Sequence, residues 1–493
     1  MTYTSTRAVN PIAVTSAEAI KKGLAPDGGL YMPTEIPTLT LEDIKSLSAL
    51  SYPERAAFVL GKYLTDYSYD ELISDCVAAY GEDRFPGGAA PLVDIDGKVT
   101  SLELWHGPTC AFKDMALQIM PRLLSRALKK TGENRTAMIL VATSGDTGKA
   151  ALEGYRDVEQ TKIKVFYPVD GVSRVQKLQM MTQLGENVSV CAIKGNFDDA
   201  QTGVKQIFSS SSVAESLNEK GVFLSSANSI NWGRLVPQIV YYVSAYCDMV
   251  ASGRISLGDV IDVCVPTGNF GNILAAYFAK RMGLPFGRLI CASNVNHVLT
   301  DFLRTGVYDR NRPFHSTISP SMDILISSNL ERLLYLAFGA ARCADLMKEL
   351  AQNGSYSLTS EELAKISADF VGYYCDENRT KEAIRAAWRE HGYLSDTHTA
   401  VGYGSALEYL GDTASKRPVL LASTASPYKF AYDVYEALFD KKAADDLSAL
   451  DELARETSSE IPAPLFGIGK RELRFSDVID PAEMTDVTLS FAD

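Results

Sequence analysis

The strongest constraint on the fold is a repeated alternation of short strand-like runs with longer helix-like runs. The strand-like runs are apolar and lie at residues 137–141, 163–167, 188–193, 222–224, 260–265, 289–292 and 419–422. Residues 235–250 carry apolar side chains at helical spacing. Alternation of this kind is typical of parallel strands covered by helices on both sides. We therefore predict an α/β fold with mostly parallel sheets.

The length implies more than one domain. A chain of 493 residues, 46% of them hydrophobic, exceeds what a single core usually supports. Residues 1–95 carry mixed helix and turn signals, and prolines and glycines interrupt the predicted elements. We therefore expect a separate N-terminal domain there. The alternating pattern fills residues 96–440. An acidic helix or linker opens the remainder, residues 441–493, which we interpret as a C-terminal extension.

Composition argues against several classes of protein. The net charge of −13 argues against a nucleic-acid binder, because nucleic-acid-binding domains are usually basic. Eight scattered cysteines and five unclustered histidines show neither a disulfide framework nor a metal-ligand pattern. No apolar run approaches the roughly 18 residues of a membrane span, and the polar start does not resemble a signal peptide. We expect a cytoplasmic protein that binds no metal, nucleic acid or membrane.

Lys113 is the first candidate for chemistry. It lies in residues 106–114, which read His-Gly-Pro-Thr-Cys-Ala-Phe-Lys-Asp. A lysine held against apolar neighbours has a lowered pKa, because burial disfavours the charged ammonium. A neutral amine can attack an aldehyde and form a Schiff base. An ordinary surface lysine at a helix start, with Asp114 as the N-cap, is the alternative.

A polar turn follows the predicted strand 137–141 and opens a predicted helix at residues 149–156. It reads Ser144-Gly145-Asp146-Thr147-Gly148. A turn in this position presents backbone N–H groups, hydroxyls and a carboxylate to one point beyond the strand, so it predicts a ligand site. The segment nearly matches a nucleotide-binding P-loop. However, Thr143 occupies the first glycine position of that motif and Ala150 occupies its hydroxyl position.

A second glycine-rich turn lies between the predicted strand 260–265 and a predicted helix at residues 273–282. Residues 266–272 read Pro-Thr-Gly-Asn-Phe-Gly-Asn. Closely spaced glycines let backbone N–H groups converge on an oxyanion, and the following helix adds the positive end of its dipole. This turn predicts a phosphate cradle, although glycine-rich βα turns without a ligand are also common.

These motifs together resemble the threonine synthases, which belong to the fold-type II family of pyridoxal phosphate enzymes. The resemblance covers nearly the whole chain, and the order and spacing of the motifs make it specific. The matching segments are residues 3–7 (Tyr-Thr-Ser-Thr-Arg), 25–30 (Ala-Pro-Asp-Gly-Gly-Leu), 104–114, 144–148, 226–231 (Ser-Ala-Asn-Ser-Ile-Asn), 268–272 and 423–425 (Ser-Thr-Ala).

The resemblance implies a fold like that of the tryptophan synthase β chain. Residues 96–440 would then form a catalytic region of two α/β subdomains with the active site between them. Residues 1–95 would be a threonine synthase-type N-terminal domain. The implied cofactor is pyridoxal 5′-phosphate, which supplies the electron sink while the protein supplies binding and orientation.

Site residues follow from the same resemblance. Lys113 would form the Schiff base and then move protons at the substrate α and β carbons. The hydroxyl of Thr424 would face the pyridine nitrogen, or alternatively cap a helix beginning near Pro427. The segment 426–430 reads Ser-Pro-Tyr-Lys-Phe where many relatives have His-Pro-Ala-Lys-Phe, which puts any role of that histidine in doubt. The cofactor phosphate would lie on the N–H groups of Gly268, Asn269, Phe270, Gly271 and Asn272.

The implied substrate is the small molecule O-phosphohomoserine. Its amino and carboxylate groups would meet the Schiff-base site and the turn of residues 144–148. Its phosphate needs a second anion site, for which an arginine offers a planar fork. The candidate ligands of the substrate are Ser144, Gly145, Asp146, Thr147, Asn228, Ser229, Asn231 and Arg234, with Ser173, Arg174 and Lys177 as further candidates for the phosphate.

The implied reaction makes the chain a carbon–oxygen lyase of threonine biosynthesis. Phosphate leaves the γ carbon, and water adds at the β carbon to give L-threonine. A related phospho-lyase would instead release 2-oxobutyrate, ammonia and phosphate. Two further alternatives are another fold-type II enzyme, such as a dehydratase or a β-replacement synthase, and a relative that binds ligands without catalysis.

Overall fold

The computed structural model describes residues 1–143 and 145–493. Its larger sheet is parallel except at one edge, where the last two strands pair antiparallel. In spatial order, the strands of this sheet are Phe370–Tyr374, Phe286–Ser293, Ile261–Pro266, Val419–Ser423, Val99–Glu103 and Leu92–Asp94. Helices pack on the sheets and bury most of their strands. The predicted mixed α/β fold with mostly parallel sheets is confirmed.

A second sheet is parallel throughout the described chain. Its strands, in spatial order, are Val478–Ile479, Val188–Ile193, Thr161–Pro168, Thr136–Ala142 and Val222–Ser225. Each strand-like run predicted from sequence coincides with a strand of one of the two sheets. The edge strand Val478–Ile479 comes from the C-terminal extension, which therefore returns to this sheet beside Val188–Ile193.

Helices make up most of the remaining structure. Those before the first sheet strand are Ser16–Lys22, Leu41–Leu47, Tyr52–Tyr63 and Tyr69–Tyr80. The later ones are Asp114–Leu117, Met120–Lys130, Asp146–Tyr155, Arg174–Met181, Phe197–Ser209, Ser211–Glu219, Trp232–Ala251, Gly271–Met282, Val298–Thr305, Leu330–Asn353 with a kink at Gly339, Ser360–Ser367, Glu377–His391, Thr397–Thr413, Ala431–Phe439, Asp446–Thr457 and Met484–Phe491. Among the described residues, no helix is both long and apolar enough to cross a bilayer.

The helix Trp232–Ala251 is the centre of the main core. It is buried along nearly its whole length, although its sequence pattern predicted one apolar face. The reason is its position, because it packs against both the N-terminal helix Tyr52–Tyr63 and the helix Gly271–Met282. Trp232 contacts the rings of Tyr3 and Phe278, with centroids 5.5 Å away in each case. The N-terminal region therefore shares its apolar core with the site region.

Two short antiparallel ribbons complete the described strands. Tyr3–Ser5 pairs with Tyr31–Pro33, and Val307–Asp309 pairs with Ser355–Ser357. The first ribbon carries the start of the N-terminal signature, residues 3–7, into the core next to Trp232. The division at residues 95 and 440 stays a prediction.

Candidate active site

Lys113 lies at the carboxyl end of the larger sheet. Its segment is held by an antiparallel bridge between Ala111 and Ala425 and by a 2.8 Å hydrogen bond from Phe112 N–H to the Thr424 carbonyl. The helix Asp114–Leu117 begins directly after Lys113. Because Thr424 follows the strand Val419–Ser423, this pairing brings two of the predicted cofactor ligands to the same edge of the sheet.

The Lys113 amine is largely withdrawn from solvent, with 13% of the side chain exposed. Its Nζ lies 3.5 Å from Asp146 Oδ2 and 3.4 Å from Ser321 Oγ, to which it donates. Burial lowers the pKa of Lys113; the nearby charges of Lys429 and Arg234 lower it further, and Asp146 opposes the shift. The amine is therefore suited to act as a nucleophile, as the apolar setting in the sequence predicted.

Asp114 does not cap a surface helix beside an exposed lysine. Its carboxylate is fully buried and accepts hydrogen bonds from the N–H and the hydroxyl of Thr109, at 2.8 and 2.7 Å. Burial raises the pKa of Asp114 to about 6, although the hydrogen bonds from Thr109 oppose that shift. The carboxylate fixes the turn that precedes Lys113, so the surface-lysine alternative does not describe this segment.

The turn around Asp146 is built on the hydroxyl of Thr143. That oxygen accepts from Gly145 N–H and Gly148 N–H, both at 3.0 Å. Gly145 has a φ of 145°, and a Cβ there would lie 2.6 Å from Gln176. Thr143, which occupies the first glycine position of the P-loop motif, therefore fixes the shape of this turn through its hydroxyl. Thr147 is half-buried, and Ser144 lies outside the described residues.

Asp146 is held by two lysines. Lys429 Nζ lies 2.9 Å from its Oδ1, and the Lys429 side chain is fully buried. Gln176 donates to the same oxygen at 2.8 Å. Burial disfavours the carboxylate, yet Lys429 and Lys113 together hold the pKa of Asp146 well below its usual range. The Asp146 carboxylate therefore interacts with Lys113 and with a second lysine, Lys429, to which the sequence analysis assigned no role.

The glycine-rich turn leaves its N–H groups available. Among the described residues, none of the backbone N–H groups of residues 268–272 has a hydrogen-bond acceptor. The carbonyls point the other way, since Gly268 O accepts from Ser327 Oγ at 2.7 Å and Asn269 O accepts from Asn329 N–H at 3.1 Å. Phe270 adopts a φ of 63°, which turns the chain into the helix beginning at Gly271. Such a cradle suits a phosphate.

Arg234 is a buried cation without an acidic partner in the described chain. The residue is 4% exposed, and one Nη donates to the Ala227 carbonyl at 2.6 Å. Its buried Nε has no hydrogen-bond partner among the described residues. Burial lowers the pKa of Arg234 to about 10. A buried guanidinium left uncompensated in this way predicts an anionic ligand.

The other predicted substrate ligands differ in their positions. Asn231 caps the helix Trp232–Ala251: its Oδ1 accepts from Gly233 N–H at 2.8 Å, and its Nδ2 donates to the Ile20 carbonyl at 2.9 Å. Asn228 is exposed, and its Oδ1 accepts from the half-buried Ser229 at 3.3 Å. A substrate contact by these three residues stays a prediction, and Asn231 also has a structural role.

The further phosphate candidates of residues 173–177 contact neighbouring protein groups. Ser173 caps the helix Arg174–Met181. Arg174 pairs with Asp445 at 2.8 Å in an exposed ion pair, and Lys177 donates to the Val169 carbonyl. The structure therefore ties Arg174 to the C-terminal extension.

Thr424 does not cap the helical turn that follows it. Ser426 is the cap, because its side chain accepts from Tyr428 N–H in the 3-10 turn Pro427–Phe430. Thr424 is 6% exposed, and its own N–H donates to Thr399 Oγ1 at 3.3 Å. Its hydroxyl is therefore not required by the helix start and is compatible with a cofactor contact.

The N-terminal signature reaches the segment behind the glycine-rich turn. Arg7 binds both carboxylate oxygens of Glu331, at 2.9 and 2.7 Å, and Thr6 donates to the same carboxylate. The neighbouring Arg332 is fully buried and donates to the carbonyls of Tyr31 and Ile230. These contacts place the signature next to Asn329, which in turn holds the glycine-rich turn.

The arrangement fits pyridoxal phosphate. Unpartnered N–H groups at residues 268–272 suit its phosphate, and the buried Lys113 amine suits its aldehyde. Asn272 adds a buried Nδ2 that has no hydrogen-bond partner in the described part of the chain. Sequence reasoning identified these groups. It gave no role to Lys429, although this lysine matches the family pattern at residues 426–430, and it missed Ser321 and His398, whose segments carry no recognisable motif.

Comparisons with known proteins cover nearly the whole chain. Three family models match: Threonine synthase N terminus over residues 2–80, Pyridoxal-phosphate dependent enzyme over residues 88–424, and Threonine synthase, C-terminal over residues 399–487. Threonine synthase-like 1 from Homo sapiens is 42% identical over 467 residues, which are 91% of this chain and 62% of that protein. This chain therefore spans less than two thirds of the human relative.

A bacterial relative matches over most of its own length. Threonine synthase from Pseudomonas aeruginosa is 39% identical over 444 residues, which are 89% of this chain and 90% of that protein. The crystal structure of PLP-bound threonine synthase from Brucella melitensis has a TM-score of 0.89 at 36% identity and covers 100% of this chain and 99% of its own. Yeast threonine synthase has a TM-score of 0.88 at 33% identity, covering 100% and 98%.

The sequence resemblance and the fold-type II architecture are thus confirmed, and the cofactor is pyridoxal phosphate. The chain belongs to the threonine synthase family of pyridoxal-phosphate-dependent enzymes.

Proposed function

We propose that this protein is a threonine synthase that converts O-phospho-L-homoserine and water to L-threonine and phosphate. One observation carries the proposal: the described chain holds two candidate anion sites, and the charge of one of them acts on the buried Lys113 amine. The first is the N–H cradle of residues 268–272, and the second is the unpaired guanidinium of Arg234. A cofactor phosphate and a substrate phosphate would need two such sites.

Pyridoxal phosphate, when bound, supplies an electron sink that stabilises negative charge on the substrate carbons. Lys113 holds the cofactor and then moves protons at the α and β carbons of the substrate. Asp146 keeps the amine in place from 3.5 Å, and Lys429 limits how strongly that carboxylate favours the charged ammonium. Because burial lowers its pKa, Lys113 gives up a proton more readily than an exposed lysine does, which suits it to move protons in the reaction.

Thr424 supports elimination rather than transamination. Its hydroxyl would face the pyridine nitrogen, and a hydroxyl does not hold that nitrogen protonated as a carboxylate would. Arg234 would bind the substrate phosphate before and after it leaves the γ carbon. The turn of residues 144–148 would bind the amino acid end, so the substrate is held at both ends while water adds at the β carbon.

Product analysis tests the proposal. Incubated with O-phosphohomoserine, the protein should release phosphate and threonine in near-equal amounts. Borohydride reduction of the cofactor-bound protein should leave a pyridoxyl group on Lys113, and Lys113→Ala should lose both this label and turnover while staying folded. A label on a different lysine would overturn the assignment.

Arg234→Ala tests the second anion site. A lost charge-assisted hydrogen bond to phosphate is worth roughly 1.5 to 3 kcal/mol, so the KM for O-phosphohomoserine should rise about 10- to 100-fold. Arg281→Ala is the matched control, because Arg281 is exposed on the helix Gly271–Met282. An unchanged KM in Arg234→Ala would remove Arg234 from the phosphate site.

The alternative is a phospho-lyase that releases 2-oxobutyrate and ammonia with the phosphate. It is retained because proteins named threonine synthase-like 1 are as similar to this chain as those named threonine synthase. Stoichiometric 2-oxobutyrate and ammonia in place of threonine would establish this alternative without changing the role of Lys113.

A further inference from the structure

A short turn contacts the Lys113 amine from a distant part of the chain. The turn is the 3-10 segment Pro320–Met322, and Ser321 at its centre is half-buried. The Ser321 hydroxyl accepts from Lys113 Nζ at 3.4 Å and donates to Asp146 Oδ2 at 3.1 Å. This hydroxyl therefore bridges the amine and the carboxylate that stand at the centre of the site.

A buried histidine fixes the backbone of the turn. Ser321 N–H donates to His398 Nε2 at 3.1 Å, so Nε2 acts as an acceptor and the ring proton lies on Nδ1. Nδ1 in turn pairs with Asp396 Oδ2 at 2.8 Å. His398 is 2% exposed and Asp396 is fully buried, while the ring of Phe430 packs on the imidazole with centroids 4.7 Å apart. One tautomer and one ring orientation are therefore set.

The carboxylate of Asp396 has a fixed position of its own. It is the N-cap of the helix Thr397–Thr413 and accepts from the N–H groups of His398 and Thr399 at 2.9 and 3.0 Å. The pair is therefore attached to a helix that packs on the larger sheet. Through His398, the backbone of the turn is therefore attached to this helix.

The turn is held at its other end by Asp323. That carboxylate accepts from Thr317 Oγ1 and Asn294 Nδ2, both at 2.7 Å. On the side of the cofactor cradle, a Cβ on Gly268 would come within 2.8 Å of the Ser321 carbonyl. The turn therefore packs directly against the glycine-rich segment and has little freedom to move away from Lys113.

We propose that Ser321 positions the Lys113 amine between Asp146 and the cofactor cradle, and that His398 and Asp396 are positioning residues that hold Ser321 there. The inference rests on the proposed function, because it needs Lys113 as the cofactor lysine. An amine that is released while substrate is bound must stay near the reacting carbons. A fixed acceptor beside it limits where it can go, which is how orientation contributes to rate.

Two pairs of variants separate this role from general support of the fold. Ser321→Ala removes the hydroxyl, whereas Ser321→Thr keeps it. His398→Asn keeps a side-chain amide near Asp396 but cannot reach Ser321, whereas the amide oxygen of His398→Gln can take the place of Nε2. The control for a histidine substitution is His391→Asn, because His391 is exposed at the end of the helix Glu377–His391. Thermal melting checks that every variant is folded.

Two measurements are made on the cofactor-bound protein. The first is the pH midpoint of its visible absorption band, and the second is the separation of kcat from KM for O-phosphohomoserine. We expect Ser321→Ala to lower the midpoint, because the charged nitrogen loses an acceptor. The same variant should lower kcat on the order of tenfold and leave KM within about twofold. His398→Asn should act in the same direction, while Ser321→Thr and His398→Gln should recover most of each effect.

An unchanged midpoint and kcat in Ser321→Ala would overturn the proposal. Equal behaviour of His398→Asn and His398→Gln would remove His398 and Asp396 from it. If His398→Asn fails to fold, the comparison of Ser321→Ala with Ser321→Thr still tests the proposal, because both variants keep the buried histidine. A borohydride label away from Lys113 would refute the proposed function itself. A label on Lys113 combined with wild-type behaviour of Ser321→Ala would refute this inference alone.

Discussion

At the scale of single residues, the sharing of Asp146 by two lysines has a measurable effect. Lys429→Met removes one of the two cations, so Asp146 would then act on Lys113 alone. We expect the pKa of Lys113 to rise, because the opposing charge of Lys429 is lost. The rate at which the apoprotein captures pyridoxal phosphate, measured against pH, should therefore shift to higher pH.

Two controls accompany Lys429→Met. Lys429→Arg keeps the cation and should keep the pH profile, and Lys442→Met changes an exposed lysine outside the site. Removing one partner of a buried pair typically costs about 3 to 5 kcal/mol, so the free energy of unfolding is measured as well. A capture profile that does not move in folded Lys429→Met would contradict the electrostatic role of Lys429.

Thr424 makes a second prediction at this scale. Thr424→Asp places a carboxylate where the hydroxyl would face the pyridine nitrogen, and so raises the protonation of that nitrogen. We expect a stronger electron sink and more abortive transamination relative to elimination, measured as the ratio of side product to released phosphate. Thr424→Ser is the control, since it keeps a hydroxyl. If the ratio is the same in both variants, the nitrogen partner lies elsewhere.

The contiguous motifs were readable in sequence because their residues are neighbours in the chain. Asp146 and its turn could be predicted from a strand followed by small and polar residues. Ser321 could not, because it lies 208 residues from Lys113 and occupies a segment with no glycine-rich pattern. Lys429 gave one signal, since it keeps the lysine of the pattern His-Pro-Ala-Lys-Phe that many relatives have at this position, but that signal does not identify its partner.

At the scale of elements, the glycine-rich turn can be tested separately from stability. The nearest neighbours of a Cβ on Gly271 would be the Asn329 and Gln238 side chains, at 3.4 and 3.6 Å, which is ordinary contact. Gly271→Val should therefore fold, with a melting temperature within about 4 °C of wild type. A bulky β-branched side chain on this turn should hinder the close approach of a phosphate to the backbone N–H groups, so the Kd for pyridoxal phosphate should rise at least about tenfold.

Gly411→Val is the matched control for this turn. Gly411 lies on the exposed part of the helix Thr397–Thr413, and a Cβ there would meet nothing within 4 Å. Equal cofactor affinity in Gly271→Val and Gly411→Val would mean that residues 268–272 form an ordinary βα turn.

Secondary structure was predictable where a buried strand is a continuous apolar run. Val419–Ser423 and Val188–Ile193 are such runs, and their predicted ends differ from the observed ends by no more than one residue. The antiparallel edge strand Leu92–Asp94 was not predicted, because it is short and half-exposed and therefore lacks that pattern. Val478–Ile479 was also not predicted. This strand has only two residues, which are too few to show a pattern, and it is recognised only by its pairing with Val188–Ile193.

At the scale of the whole molecule, the link from Arg7 to Glu331 joins the N-terminal region to the site. Glu331→Gln leaves Arg7 without its carboxylate. Because about a third of the Arg7 side chain is exposed, we expect a loss of roughly 1 to 3 kcal/mol in the free energy of unfolding, less than for a fully buried pair. Urea unfolding measures this loss, and cofactor affinity should fall with it because Glu331 adjoins Asn329.

An exposed ion pair provides the comparison. Lys194 and Asp480 lie 3.1 Å apart with more than half of each side chain exposed, so Lys194→Ala should change stability by less than about 1 kcal/mol. If Glu331→Gln is as stable as Lys194→Ala, the N-terminal signature does not hold the site through this contact.

The same link sets an order of events during synthesis. Thr6 and its partner Glu331 are 325 residues apart, and ribosomes add residues from the amino end. At a translation rate of roughly 5 to 20 residues per second, Glu331 is added on the order of 15 to 65 seconds after Thr6. Until residue 232 has been added, the apolar side of Tyr3–Ser5 also lacks its later-made partner Trp232. A segment made early in synthesis is therefore among the last to reach its final contacts, and its apolar side chains stay exposed to solvent until the later residues fold onto them.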